Sequence, residues 1–191
     1  MRVVAGQFSG RRLRAPAGME TRPTADRVRQ ALFAVMGEMD GLSVADLYAG
    51  SGALGIEALS RGARHAVFVE SARGALRALR ANLDSLGLAG RSTVLPLLVR
   101  AATRRVVANG PYDLVLCDPP WPNLASATAT LSSLVRLGIL AEQGRLVLEH
   151  PKSQTVELAG GLVVTDTRRW GGTAVSIFQQ AADEPFCPDS P

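Results

Sequence analysis

The chain has 191 residues and 47% hydrophobic side chains, a composition typical of a folded globular protein and not of an intrinsically disordered one. No apolar run approaches the roughly 20 residues that a membrane span needs, and the start of the chain lacks the apolar core of a signal peptide. The two cysteines, Cys117 and Cys187, lie far apart and without metal-ligand spacing, so they predict neither a disulfide nor a metal site. We therefore expect a monomer of the reducing cytoplasm, with no bound metal and no membrane partner.

Positive charge is concentrated at the beginning of the chain. The formal net charge is +4, whereas residues 1–30 alone hold seven arginines against two acids, a net charge of +5. The remainder of the chain is therefore close to neutral. A basic segment of this kind is typical of proteins that bind a polyanion such as a nucleic acid. The arginines predicted to contact phosphates are Arg2, Arg11, Arg12, Arg14, Arg22 and Arg27.

The predicted elements follow a regular order along the chain. Residues 6–18 are polar, basic and rich in glycine, which predicts short extended pieces joined by turns, and a helix is predicted to begin at Pro23 with Thr24 as its cap. From residue 42 onwards strands and helices alternate, which predicts a parallel sheet with helices on both faces. The predicted strands are 43–48, 65–70, 92–98, 112–118 and 144–150, and the predicted helices are 53–61, 72–86, 100–109 and 123–138. Two last strands, 161–168 and 173–180, predict an antiparallel hairpin.

This order predicts three units. Residues 1–40 form a small basic extension of short strands and a helix that suits a nucleic acid, residues 41–181 form the α/β domain, and residues 182–191 form a disordered tail. The predicted fold class is a Rossmann-like α/β sheet, mostly parallel, with a C-terminal antiparallel hairpin.

A glycine-rich turn follows the first strand of the predicted α/β domain. Asp46 lies within that strand, and Gly50, Gly52 and Gly55 follow it where a helix begins. Glycines at such a turn let the backbone approach a ligand closely. Glu70 ends the next strand, about 20 residues further on, where a carboxylate can bind the hydroxyls of a ribose. The pattern predicts a nucleoside cofactor, although taken alone it fits a dinucleotide as well as S-adenosylmethionine.

A second motif, Asp118-Pro119-Pro120-Trp121, ends the fourth predicted strand. Two consecutive prolines fix the backbone and remove two amide donors, so nearby carbonyls are free to accept hydrogen bonds. A carboxylate beside such a carbonyl can accept both protons of a planar NH2 group, and the tryptophan offers a face on which a base stacks. An amine held in this way can turn its lone pair towards the sulfonium methyl of S-adenosylmethionine, which favours direct methyl transfer by positioning and electrostatics.

With both motifs present, the chain resembles the class I amino-methyltransferases, which carry an (Asp/Asn)-Pro-Pro-aromatic sequence. Two longer strings, from Arg22 to Arg29 (Arg-Pro-Thr-x-Asp-Arg-Val-Arg) and from Asp46 to Ala63, resemble the RsmD family, and the likeness runs from Val3 to about Gln179. Members of that family methylate the exocyclic N2 of one guanine in 16S, small-subunit ribosomal RNA.

The resemblance implies a role for each motif. The glycine loop would hold the methionine end of the cofactor and Glu70 its ribose, while Asp118 and the Pro119 carbonyl would hold the guanine amine under a stacked Trp121. The Arg-Pro-Thr segment would cover the methionine end and touch the RNA. The implied cofactor residues are Asp46, Tyr48, Ala49, Gly50, Ser51, Gly52, Glu70, Ser71 and Thr24. The implied partner is 16S ribosomal RNA, either naked or within a small ribosomal subunit or assembly intermediate.

One stretch departs from the family pattern. Such enzymes often place an aspartate after the third strand, against the adenine amine, whereas residues 94–99 contain no acid. Adenine must then be held by apolar packing and backbone groups.

Other functions share some of these features. An adenine-N6 DNA or RNA methyltransferase and a protein-glutamine methyltransferase use the same acceptors on a different amine. A nicotinamide oxidoreductase fits the glycine turn but leaves Asp-Pro-Pro-Trp unexplained, and an RNA-binding assembly factor would keep only a vestigial pocket. Cys117 lies in an apolar strand, which predicts a packed side chain and not a nucleophile. His65 and His150 lack metal-ligand neighbours, and Trp170 is predicted to pack in the hairpin.

Overall fold

Seven short runs of apolar and β-branched residues pair into one sheet. The computed structural model describes residues 1–16 and 23–181, and within 23–27 the backbone alone; Arg22, the side chains of Thr24 and Arg27, and the predicted tail lie outside what is described. The strands are β1 Ser43–Leu47, β2 His65–Val69, β3 Ser92–Leu95, β4 Tyr112–Cys117, β5 Leu140–Pro151, β6 Leu162–Trp170 and β7 Thr173–Gln180. Their spatial order is β3-β2-β1-β4-β5-β7-β6, and only the pairings of β7 with β5 and β6 are antiparallel. The predicted fold class is confirmed.

Five helices cover the two faces of the sheet. They are α1 Pro23–Met36, α2 Ala53–Ser60, α3 Arg73–Ser85, α4 Val99–Ala108 and α5 Leu124–Arg136, with short 3-10 turns at Ala89–Arg91 and Trp121–Asn123. Helices α1, α2 and α3 share one hydrophobic core with the sheet, and α4 and α5 share the other. Within the described parts of the chain, no helix is both long and apolar enough to cross a membrane.

Two strand boundaries differ from the prediction by three residues or more. Strand β3 ends at Leu95, three residues early, because Pro96 has no amide proton to continue the ladder. Strand β5 begins at Leu140, four residues before the predicted start, and its register against β4 shifts between Tyr112 and Leu114. Gly144 is required at that irregularity, since a side chain there would lie 2.7 Å from the Tyr112 carbonyl oxygen.

The strand order positions a crevice at one edge of the sheet. From β1 the chain moves outward through β2 to β3, and then returns to place β4 on the other side of β1. Loops that leave adjacent parallel strands in opposite directions open a crevice at the carboxyl ends of those strands, which is where ligands bind in α/β sheets. The register pairs Leu47 with Cys117, so the residues that follow β1 and β4 meet at this edge.

Residues 1–16 pack onto the α/β domain, although the sequence predicts a separate extension. An isolated bridge pairs Arg2 with Arg12, and the Val3 amide donates to the Arg11 carbonyl at 3.0 Å. Val3 and Leu13 are buried in the core that α1, α2 and α3 share. The N-terminal segment is therefore packed as part of the α/β domain. Its separate function, RNA binding by residues 1–40, stays a prediction.

Glu57 of α2 holds this segment in place. Its side chain is fully buried and accepts hydrogen bonds from the amides of Val4 at 2.7 Å and Ala5 at 3.0 Å. Arg61 donates to the same carboxylate at 2.8 Å, and Arg29 of α1 lies 3.6 Å away. One buried carboxylate thus ties the N-terminal segment and α1 to α2, and a buried charge of this kind is tolerable only when it is paired.

We predict that Glu57→Ala lowers the free energy of unfolding by roughly 3–5 kcal/mol, because it removes the acceptor of two partly buried amides and the carboxylate that offsets the charge of the buried Arg29. Urea denaturation measures the loss, and hydrogen exchange should show the Val4 and Ala5 amides losing protection. The exposed Glu142→Ala provides the control and should stay within about 0.5 kcal/mol of wild type. Equal stability of the two variants would contradict an anchoring role for Glu57.

Candidate active site

Four carboxylates converge on the carboxyl edge of the sheet. Asp46 lies in β1, Glu70 directly follows β2, Asp118 directly follows β4, and Glu149 lies near the end of β5. The register pairs Cys117 with Leu148, which makes Asp118 and Glu149 neighbours on adjacent strands. The charges of Asp118 and Glu70 both act on Asp46. The sequence predicts three of these acids, and Glu149 was missed because no motif surrounds it; strand register is the signal that finds it.

The glycines of the loop after β1 are required for two different physical reasons. A Cβ at Gly52 would lie 2.4 Å from Leu79 Cδ1, and a Cβ at Gly55 would lie 2.4 Å from Phe68 Cε1, so both positions exclude a side chain through packing. Gly50 has φ of 57°, and a Cβ there would meet nothing within 4 Å. Backbone conformation selects glycine at position 50, and the open space beside it leaves room for a ligand.

Asp46 lies beneath this loop. It is 1% exposed, and its Oδ2 accepts the Gly55 amide at 2.9 Å. Burial raises its pKa to about 7, the Gly55 hydrogen bond opposes that rise, and the charges of Asp118 and Glu70 add to it. Asp46 thus stabilises the loop through its hydrogen bond to Gly55. Its direct contact with the cofactor stays a prediction.

Glu70 holds the loop from the side. Its Oε2 accepts the Gly50 amide at 2.8 Å, while its Oε1 accepts the amides of Ser71 at 2.6 Å and Ala72 at 2.7 Å. The side chain therefore joins the glycine loop to the start of α3. Oε2 accepts only one of these three bonds and keeps a second lone pair, which leaves capacity for a ribose hydroxyl.

The rest of the loop is tied to the N-terminal segment through Asn82, which the sequence analysis missed. Asn82 is 1% exposed, and its Nδ2 donates to the Ser51 carbonyl at 2.9 Å and to the Arg14 carbonyl at 3.1 Å. The Arg14 amide donates back to Asn82 Oδ1 at 2.8 Å. Tyr48 takes a positive φ of 63°, and the Ala49 amide donates to the Val69 carbonyl at 3.0 Å.

The Asp118-Pro119-Pro120-Trp121 turn leaves β4 at the mouth of the crevice. Asp118 is exposed, and Trp121 is 45% exposed. The Pro120 carbonyl accepts the Asn123 amide at 2.8 Å, which begins a 3-10 turn, whereas the Pro119 carbonyl accepts no backbone hydrogen bond from residues 1–16 or 23–181. A carboxylate, a carbonyl without a backbone partner and an open aromatic face therefore follow one another along this turn.

The β6–β7 turn lies beside the Trp121 ring. A Cβ at Gly172 would lie 4.0 Å from Trp121 Cη2, so the glycine keeps the surroundings of the ring open. Trp170, at the end of β6, is partly buried against the core, in agreement with its predicted packing role.

Asp118 and Glu149 interact electrostatically. Surrounding protein atoms raise the pKa of Asp118 to about 6, even though the residue as a whole faces solvent. Burial, together with the negative charge of Asp118, raises the pKa of Glu149 to about 8. Near neutral pH the pair therefore shares one proton, with Asp118 the charged member.

Cys117 and the two histidines serve packing. Cys117 is 2% exposed, and burial, followed by the charges of Asp118 and Asp46, raises the pKa of its thiol well above the usual value, which disfavours a thiolate nucleophile. His150 is buried and contacts Ser176 Oγ at 2.9 Å, so it is an interior residue of β5 and not a surface one. His65 contacts Thr93 Oγ1 at 3.0 Å.

A cleft of about 220 Å³ lies where the sequence lacks the adenine-binding acid. It runs between Tyr48, the start of α4 at Leu98–Arg100, and α5. It is also lined by Asn123, directly before α5, and by Ser126 and Thr130 of α5. Polar groups therefore reach this cleft from α5, in addition to the apolar packing that the sequence predicts.

The predicted arginine patch is exposed. Arg2, Arg11, Arg12 and Arg14 all face solvent, and Arg11 Nη2 also donates to the Ser85 carbonyl at 3.2 Å. Arg2 and Arg12 stand opposite each other in their bridge, where like charges repel. A bound polyanion relieves such repulsion.

A seven-stranded sheet with one antiparallel strand inserted beside β5, a glycine loop after β1 and an Asp-Pro-Pro-Trp turn after β4 defines a class I methyltransferase. A family model described as "Conserved hypothetical protein 95" matches residues 1–179, and the chain belongs to this family. Relatives named as ribosomal RNA methyltransferases, among them ribosomal RNA small subunit methyltransferase D, confirm the resemblance to the RsmD family.

Three relatives illustrate the similarity. "Putative rRNA methyltransferase YlbH" of Bacillus subtilis is 37% identical over 186 residues, which cover 94% of this chain and 99% of that protein. Ribosomal RNA small subunit methyltransferase D of Escherichia coli is 33% identical, over 78% of this chain and 74% of its own length. The solved structure titled "Putative methyltransferase yhhF from Escherichia coli" superposes with a TM-score of 0.78 at 31% identity, covering 94% and 97% of the two chains.

Asp46 makes the stability of the cofactor-free protein depend on pH. Because folding raises its pKa from 3.8 to about 7, the folded state loses stability as pH rises through that interval. Asp46→Asn keeps an oxygen for the Gly55 amide and removes the charge. We predict that it stabilises the protein at pH 8 by up to about 4 kcal/mol, with the difference vanishing towards pH 4.

Thermal or urea unfolding at several pH values tests this expectation. The exposed Asp84→Asn should follow the wild-type curve, since solvated surface changes have little effect. An Asp46→Asn variant less stable than wild type at pH 8 would show that the charge of Asp46 is compensated within the loop.

The Asp118–Glu149 pair predicts two steps in the pH profile of the enzyme. The value of kcat/KM should rise through pH about 6 as Asp118 loses its proton, and again near 8, since a charged Glu149 makes Asp118 a stronger acceptor. Glu149→Gln cannot ionise and should lack only the second step. Initial rates between about pH 5 and 9 measure both; a second step that persists in Glu149→Gln would assign it to another group.

Proposed function

We propose that this chain transfers the methyl group of S-adenosylmethionine to the exocyclic N2 amine of a guanine in small-subunit ribosomal RNA. The observation that carries the proposal is the turn at the end of β4, where the Asp118 carboxylate, the Pro119 carbonyl and the exposed Trp121 ring follow one another beside the glycine loop of β1. The curated relatives named as small-subunit ribosomal RNA methyltransferases support ribosomal RNA as the substrate.

The residues present fit this cofactor. Gly50 borders open space, Glu70 offers acceptors to a ribose, and the cleft beside Leu98 and Asn123 has room for a flat ring. The four carboxylates at the edge favour a ligand that carries a sulfonium and an ammonium group. When bound, S-adenosylmethionine supplies an electrophilic methyl group.

The chain's own residues position the amine. Asp118 and the Pro119 carbonyl each accept one N–H, which turns the nitrogen lone pair towards the methyl carbon. The nitrogen forms the new bond to carbon as the carbon–sulfur bond breaks and its electrons remain on sulfur. The methylated nitrogen loses one proton to the Asp118 carboxylate, which becomes neutral, and Asp118 then releases that proton to solvent. Trp121 stacks on the base and holds its plane during transfer.

The N-terminal segment is proposed to hold the RNA, with Arg2, Arg11, Arg12 and Arg14 on its phosphates. The Arg-Pro-Thr segment with Arg22, Thr24 and Arg27 is proposed to cover the methionine end of the cofactor. Removing residues 1–18 does not test these roles, because the deletion also removes the buried Val3 and Leu13 and the partners of Glu57 and Asn82. Side-chain substitutions separate binding from folding.

The decisive experiment incubates the protein and labelled S-adenosylmethionine with small ribosomal subunits, with subunits lacking modified bases, and with deproteinised ribosomal RNA. Nuclease digestion and chromatography then identify the labelled nucleoside. We expect N2-methylguanosine. Label in N6-methyladenosine would assign the adenine alternative, label in a protein would assign the glutamine alternative, and cofactor binding without any transfer would leave an assembly factor.

Asp118→Ala is predicted to lower kcat by roughly 10²–10³ through loss of an acceptor that positions the reacting amine, and to leave cofactor affinity within about twofold of wild type. Calorimetry with S-adenosylmethionine and single-turnover rates measure the two quantities. Asp84→Ala, an exposed acid on α3, is the matched control. Wild-type turnover in Asp118→Ala would overturn the proposed role.

A further inference from the structure

The exposed face of α3 carries a row of arginines. Arg73, Arg77 and Arg80 follow the i, i+4, i+7 spacing of one helix face, and all three are exposed. We propose that this arginine row on α3 binds the phosphate backbone of the RNA substrate and extends the N-terminal patch towards the active site. The inference rests on the proposed function, because it presumes an RNA substrate.

The row is not needed to hold α3 on the sheet. Leu79 and Leu83 lie on the buried face of the helix, in the core with α1 and α2. At about 100° per residue, the three arginines fall within one narrow sector of the helix surface, away from these leucines. Side chains with no packing role are free to bind a partner.

Contacts join the row to the N-terminal patch. Arg11 donates to the carbonyl of Ser85 at 3.2 Å, and the Arg14 amide donates to Asn82 at 2.8 Å, one turn nearer the start of α3. On the helix surface, Gly74 and Ala81 separate this flank from the arginine row. Both are small, so no bulky side chain interrupts the positive surface.

The net charge of the chain understates this surface. Asp46 and Glu57 are buried, and Glu70 and Glu149 face inward at the crevice, so several acids contribute little to the outside. Within the described part of the chain, the row arginines make no salt bridge, and Asp84 is the one acid that continues the same stripe. The α/β domain is therefore basic on this face, although its sequence is close to neutral.

The row also leads to the site of transfer. Arg73 begins α3 immediately after Ala72, whose amide is bound by Glu70. Strand β2, which α3 follows, is separated from β4 only by β1, a distance of about 10 Å at the usual strand spacing. A nucleic-acid backbone lying along the row therefore reaches the edge from which a base can enter beside Trp121.

The test compares two double variants that each remove two charges. Arg77→Gln with Arg80→Gln removes two of the three row arginines, and Arg64→Gln with Arg136→Gln removes exposed arginines from the opposite edge of the sheet. The probe is in vitro transcribed small-subunit ribosomal RNA, with binding isotherms between about 50 and 200 mM salt. Cofactor affinity, thermal stability and methyl transfer are measured on the same preparations.

We expect the row variant to bind RNA roughly tenfold more weakly at low salt and to lower the slope of log K against log salt by about 1 per lost phosphate contact. Its cofactor affinity and stability should match wild type, and the control pair should bind RNA as wild type does. An equal loss of RNA affinity in the two double variants would show that only the net charge matters, and would overturn the proposal. If the row variant binds RNA as tightly as wild type does, and the wild-type protein still transfers methyl groups, the proposal is overturned while the proposed function stays in place. If the row variant binds RNA normally but no longer transfers methyl groups, the row is assigned to contact with a protein of the ribosomal particle, and the proposal is again overturned.

Discussion

The pairing of β1 with β4 is the constraint on which the site depends. Because Leu47 lies opposite Cys117, the glycine loop and the Asp-Pro-Pro-Trp turn leave the sheet side by side, although about 70 residues separate them in the chain. The roles proposed for the loop and the turn, cofactor binding and amine binding, depend on this register, because methyl transfer needs both reactants held at one place.

Bringing strand ends together also concentrates negative charge. Asp46, Asp118 and Glu149 raise one another's pKa values or have them raised by burial, and Glu70 adds to the field at Asp46. Negative charge gathered in this way favours a cationic ligand at this edge. Because these acids are withdrawn from the surface, the outside of the molecule is more basic than its sequence.

The N-terminal segment connects these two sides of the molecule. Glu57 anchors it to α2, and Asn82 bridges its backbone to the carbonyl of Ser51 in the glycine loop. The N-terminal segment and the glycine loop are therefore joined directly, through hydrogen bonds of a single buried amide side chain.

Local sequence determined the strands, the helices, both motifs and the arginine patch, because turn glycines, paired prolines and apolar periodicity act over a few residues. Pro96 shows that local patterns can mislead even about a single strand. The apolar pattern predicted that β3 continues to residue 98, but the strand ends before the proline. Only the tertiary structure decided which acids meet. Glu149 has no motif, and strand register makes it the neighbour of Asp118; Glu57 and Asn82 resemble ordinary helix residues, and packing makes them the anchors of a distant segment. Sequence specifies what each element is, whereas long-range pairing and burial decide which side chains share a site and what their ionisation costs.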